Sequence, residues 1–193
     1  MPKCSRSGRA AILTPEQLDL LMGNLDPMGR AVFQTARFSA GRINEVLSLR
    51  WNNIYDDFLV FPKAIVKKKV RAREIPLGHP KFQEAIAQWK EAWPVIYERE
   101  PGSADAVFPI KADTTKHITR RYVDKLLRAA CVKAKLEGVS THSFRRSALT
   151  FASDAGCPLR HIQELSGHSS LAVLQAYLSC TEKQKRAVAL AFG

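Results

Sequence analysis

Residues 141–179 read THSFRRSALTFASDAGCPLRHIQELSGHSSLAVLQAYLS. Most of the run is ordinary helix-forming sequence, yet it also holds His142, the adjacent pair Arg145 and Arg146, His168 and Tyr177. His142 and Arg145 stand three apart at a helix start capped by Ser140 or Thr141, so their side chains share one face. Gly156, Cys157 and Pro158 break that helix. Leu159 to Leu165 predicts a second, short helix that Gly167 ends. Ser169 to Leu178 predicts a third, with Tyr177 near its end, nine residues after His168.

The rest of the chain supplies charge. Thirty Lys and Arg stand against 18 Asp and Glu in 193 residues, a net charge of +12. An excess that large favours a polyanionic partner, nucleic acid ahead of an anionic membrane surface. No apolar run approaches the roughly 18 to 20 residues of a membrane span, and no signal-peptide core opens the sequence. The expected setting is therefore inside a cell and off the membrane. Cys4, Cys131, Cys157 and Cys180 show no metal-ligand spacing, and neither a P-loop nor a carboxylate cluster is present. No metal and no cofactor is expected.

Met1 to Ala11 carries Lys3, Arg6 and Arg9 without an acid, and residues 1–12 are expected to be a basic lead-in to one domain over 13–193. Thr14-Pro15-Glu16-Gln17 is a capping box with proline at the first helical position. Asp26-Pro27 starts the next helix. Ala40-Gly41 then turns the chain into Arg42-Ile-Asn-Glu-Val-Leu-Ser-Leu-Arg-Trp51. Arg42 falls in that helix's first turn, where the helix dipole opposes a cation unless an anion joins it.

Ile54 to Pro62, Ala64 to Lys68 and Arg71 to Leu77 predict three short strands. Six basic residues and no acid lie between Lys63 and Arg73. Pro80 to Glu98 predicts a long helix with Phe82, Trp89 and Trp93 in the core and a kink or end at Pro94. Thr114 or Thr115 is expected to cap a helix running to about Lys135. That helix would present Lys116, Arg120, Arg121 and Lys125 to solvent or to a phosphate backbone. Thr181 to Phe192 predicts a terminal helix.

The run from His142 to Tyr177 resembles the C-terminal half of the catalytic domain of the tyrosine recombinase (phage integrase) family. That family shows His-x-x-Arg, then Gly-His about two dozen residues on, then a tyrosine nine beyond the histidine. His142, Arg145, Gly167, His168 and Tyr177 match in order and spacing. AGRINEVLSLRW resembles the family's first arginine box, with Arg42 as phosphate-binding arginine and Glu45 as its acidic partner. Arg73-Glu-Ile-Pro-Leu77 resembles the end of the hairpin that carries the family's catalytic lysine five residues earlier, which points to Lys68 between Lys67 and Lys69.

The resemblance implies a mainly α fold with a small three-stranded antiparallel sheet after the first arginine box. It also implies a site-specific recombinase acting on double-stranded DNA through a 3′-phosphotyrosyl intermediate. Catalytic roles fall to Arg42, Lys68, His142, Arg145, His168 and Tyr177, with Glu45 and Arg146 supporting them. Lys67, Lys69, Arg71, Arg73, Lys116, Arg120, Arg121 and Lys125 would face DNA. A dimer or tetramer assembled on DNA, in the cytoplasm of a prokaryote or its phage, follows from the same resemblance. Relatives usually carry a helical domain before the catalytic one, and none is expected here. Two rival readings are a type IB topoisomerase-like nicking and relaxing enzyme, and a DNA-binding regulator that does not cut.

Overall fold

The computed structural model describes residues 10–66, 71–178 and 182–190. Its first two helices start where local sequence dictates. At α1 (Pro15–Gly23) the Thr14 hydroxyl accepts the Gln17 N–H and the Gln17 side chain accepts the Thr14 N–H, at 3.3 and 3.0 Å. At α2 (Pro27–Phe38) the Asp26 carboxylate accepts the Gly29 N–H at 2.6 Å. Each cap satisfies donors that the helix leaves unpaired.

α3 (Ile43–Leu47) and a single 3₁₀ turn (Trp51–Asn53) lead to β1 (Phe58–Phe61) and β2 (Arg73–Pro76). Then come α4 (Pro80–Tyr97), β3 (Pro109–Ile110), β4 (Asp113–His117) and α5 (Arg120–Ala134). α6 (Thr141–Asp154), α7 (Leu159–Ser166), α8 (Leu171–Gln175) and α9 (Glu182–Leu190) complete the order. The architecture is mainly helical, as expected.

α2 is the hub. Ala31, Val32, Phe33, Thr35 and Ala36 are almost wholly buried because α4 and α6 both pack on it. Phe33 stacks on Phe144 of α6 with ring centroids 4.6 Å apart. α4 is fixed by Trp89 and Trp93, both fully buried, and Trp89 donates to the Val107 carbonyl at 2.7 Å. Side chains of this size stabilise the fold by roughly 2 to 3 kcal/mol each on burial. Pro94 lies inside α4, which runs on to Tyr97.

Two expectations need correction. The sheet after the first arginine box has two strands among the described residues, β1 and β2, paired antiparallel with Leu59 opposite Ile75. Pro62 to Ile65 turns instead of starting a middle strand, with the Ile65 N–H donating to the Pro62 carbonyl at 3.0 Å. Second, Thr114 and Thr115 do not cap a helix. They lie in β4, which pairs antiparallel with β3, and Thr119 caps α5 instead.

Behind the main core, Ala40, Leu149, Ile162 and Leu174 form a separate small cluster, with Tyr177 and Leu178 packed against it. It joins the end of α2 to α6, α7 and α8.

Candidate active site

Four short-range devices bring the sequence-selected residues together. The first is the turn after α2. Ala40 adopts φ +44°, a left-handed conformation, which aims its carbonyl at the buried Arg145 guanidinium. Gly41 follows because there is no room for a side chain: a Cβ would lie 2.7 Å from Ser39 Oγ and 3.0 Å from Phe61 Cζ.

The second device is Glu45, 2% exposed. Its Oε1 meets Arg42 Nη1 at 2.9 Å, and its Oε2 accepts both the Arg42 backbone N–H at 3.1 Å and Arg73 Nη2 at 2.7 Å. The anion that the placement of Arg42 called for is thus partly this carboxylate. Burial pushes the Glu45 carboxyl up, but the charge of Arg73 and the N–H groups of Arg42 outweigh it and hold the group below its ordinary value.

The third is the Gly-His turn. Gly167 has φ +67°, and Arg73 lies so close that a Cβ would meet its Cδ at 2.7 Å. Arg73 also donates to the Leu165 carbonyl at 2.8 Å. Arg73 was expected to face DNA; it is 5% exposed and ties β2 to α3 and to the end of α7.

The fourth is α6, capped by Ser140. It holds Arg145, 1% exposed, against the Ala40 carbonyl, the Ser166 carbonyl at 3.0 Å and His168 Nε2 at 2.8 Å. The Nε of Arg145 is buried without a hydrogen-bond acceptor among the described residues.

The electrostatics follow from this crowding. Burial, then Arg42 and Arg73, lowers the pKa of Arg145 to about 9, which leaves it charged at neutral pH. Burial, then Arg145, Arg42 and Arg73, lowers His168 to about 3, so its imidazole is neutral. His142, on the open side of α6, is lowered by partial burial, then by Arg120, Arg145 and Arg42. Three guanidinium groups and one carboxylate share the site, an arrangement suited to an anion.

Tyr177, just past α8, completes it. Its ring lies 4.8 Å from the His168 ring, centroid to centroid, and 5.5 Å from the Arg145 guanidinium carbon. The adjacent Arg146 donates to the Tyr177 carbonyl at 3.3 Å and also reaches the Ala10 carbonyl at 2.5 Å. Lys67, Lys68 and Lys69 lie outside the described residues. Arg71, Lys116, Arg120, Arg121 and Lys125 are exposed, and Arg120 is close enough to His142 to depress it.

A model of the phage integrase family matches residues 11–184. The chain belongs to the phage integrase family. Tyrosine recombinase XerC of Halalkalibacterium halodurans is 29% identical over 177 residues, covering 89% of this chain and 57% of that protein. The chain spans about half the length of the curated relatives it matches. The crystal structure of XerA recombinase superposes with a TM-score of 0.76 at 16% identity, over 99% of this chain and 66% of that one. The XerH site-specific recombinase bound to difH substrate, a pre-cleavage complex, gives 0.70 at 19% identity over 94% and 54%. These likenesses at low identity are likenesses of fold.

Two contacts at the candidate site of this integrase-family domain escape sequence reasoning. The Glu45–Arg73 pair spans 28 positions, with no local pattern to announce it. Ser166 touches both Arg145 and His168. Its place two residues before the histidine was the available signal.

Proposed function

We propose that residues 13–193 are the catalytic domain of a site-specific DNA recombinase that cuts and rejoins duplex DNA through a 3′-phosphotyrosyl intermediate on Tyr177. The observation that carries this reading is the seating of the Tyr177 ring against both Arg145 and His168, inside a field that also contains Arg42.

Arg42 and Arg145 bind the non-bridging oxygens of one phosphodiester. Guanidinium forks suit that task because they stay charged and donate in pairs. They also hold the extra negative charge that develops at the pentacoordinate phosphorus, and losing one such contact commonly costs about 10² to 10³ in rate. The Tyr177 oxygen attacks phosphorus as its proton leaves. A phenol with a pKa near 10 needs a cationic setting to do so at neutral pH. His142 donates to the same oxygens, and His168, neutral in the free protein, accepts and relays that proton. The bond to the 5′ oxygen breaks, and Lys68 supplies the proton that makes it a hydroxyl. The bond energy stays in the phosphotyrosyl link, so the reverse attack by a 5′-hydroxyl reseals a strand.

Arg71, Lys116, Arg120, Arg121 and Lys125, together with Lys67 and Lys69, track the backbone on either side. The DNA partner is supported by XerH, whose structure holds its difH substrate. A homo-oligomer on DNA, with α9 docked on a neighbouring protomer, belongs to the same proposal, as does action on DNA in the cytoplasm. No helix among the described residues is long and apolar enough to cross a membrane.

The test is a nicked suicide duplex carrying a bound target. Wild type is expected to give an SDS-stable protein–DNA adduct and Tyr177→Phe none, with both binding the duplex. Binding without an adduct from wild type at any salt concentration would favour the non-cleaving regulator.

A further inference from the structure

Ser166 is fully buried at the end of α7. Its Oγ lies 2.6 Å from the Ile162 carbonyl and 2.7 Å from His168 Nδ1. A serine hydroxyl has one proton to give. The Ile162 carbonyl can only accept, so that proton goes there, and Oγ must then accept from His168 Nδ1–H. Arg145 Nη2 lies 2.8 Å from Nε2 and 3.3 Å from Nδ1, so it sits over the ring face and leaves the in-plane lone pair of Nε2 open. With Nδ1 carrying the proton, Nε2 is the unprotonated nitrogen. Ser166 also accepts Arg145 Nη2 on its backbone carbonyl at 3.0 Å. One residue thus fixes the arginine through its main chain and the histidine through its side chain.

We infer that Ser166 is a positioning residue for the reaction proposed above: its hydroxyl, committed to Ile162, locks His168 as the Nδ1–H tautomer and leaves Nε2 as the ring's open acceptor. This deepens the recombinase reading and rests on it. The consequence is directional. With Nδ1 held to Ser166, any proton the ring accepts arrives at Nε2. A ring free to flip would offer either nitrogen.

The tautomer is read directly by ¹⁵N NMR of histidine-labelled protein without DNA. Wild type is expected to show His168 protonated at Nδ1 and bare at Nε2, a result that needs no variant and no cleavage. Ser166→Ala is expected to mix the tautomers and to slow single-turnover cleavage roughly 10- to 100-fold, the range seen when the outer partner of a ligating histidine is removed. Affinity for uncleaved duplex should not change. Ser166→Thr, which keeps the hydroxyl, should restore both the tautomer and the rate. An Nε2–H tautomer in wild type, or an alanine variant with unchanged tautomer and rate, overturns the inference. Failure of wild type to cleave would sink the functional reading alone, because the NMR experiment still reports on Ser166.

Discussion

Glu45 lets Arg42 and Arg73 sit beside Arg145. Its carboxylate is buried and shared between two guanidinium groups, and removing one partner of a buried pair commonly costs about 3 to 5 kcal/mol. Glu45→Gln should lose stability on that order in urea denaturation, with Arg42 released from its 2.9 Å contact. The pH dependence has a definite sign. The Glu45 carboxyl is lower in the folded state than its ordinary value, so its stabilisation is complete above the unfolded pKa of about 4.3. It is lost as pH falls through the folded value. Wild type should therefore lose stability on acidification below about pH 4.3 more steeply than Glu45→Gln; equal slopes would mean the carboxylate is not paired. Nearby, Ala40 holds a left-handed φ of +44°, where a non-glycine residue costs roughly 1 to 3 kcal/mol. Glycine loses about 0.5 to 1 kcal/mol more backbone entropy on folding. Ala40→Gly also removes a methyl from the small apolar cluster, worth about 0.8 kcal/mol, so it should raise stability by no more than about 1.5 kcal/mol, whereas Gly41→Ala should lower it because of the contacts its Cβ would make. Both are read from denaturation midpoints.

Among the elements, those written locally were legible and those made by distant pairing were not. The capping box at Thr14, the Asp26-Pro27 start and the break at Gly156–Pro158 are decided by neighbours in sequence, and the structure has them where they were expected. The candidate site was legible because spacing along α6, α7 and α8 fixes the order in which His142, Arg145, His168 and Tyr177 appear. β4 was misread because Thr114-Thr115 looks like a helix cap until Pro109 and Ile110 fold back on it. Arg73 was misread because a basic run looks solvated, and only tertiary structure places Glu45 against it. The element carrying Tyr177 rests on a small apolar cluster separate from the main core, and Arg146 ties its end both to the α6 helix and to the chain entering at Ala10. Few buried apolar contacts mean low local stability. Arg146→Gln should therefore speed amide exchange across residues 171–178 several-fold while leaving α2 protected. Equal protection in both proteins would show that the small cluster alone holds the tyrosine.

Taken whole, the molecule is a cationic body with a buried arginine cluster and an exposed basic margin. On the proposed function, its net charge of +12 governs how it would meet DNA. Each phosphate neutralised releases counterions and adds about −0.9 to the slope of log K against log salt. The proposal assigns six cations to the contact, Arg42, Arg71, Lys116, Arg120, Arg121 and Lys125, so a slope near −5 is expected from salt titrations of duplex binding. Replacing Arg121 and Lys125 together by Gln should flatten it by about 2 without touching the cleavage step. The central claim is chemical, and the most direct measurement of it is where the covalent bond forms. After reaction with a suicide duplex, nuclease and protease digestion followed by mass spectrometry should find a nucleotide joined through its 3′ phosphate to Tyr177. A nucleotide on any other side chain, or none on a protein that demonstrably holds the duplex, would contradict the account.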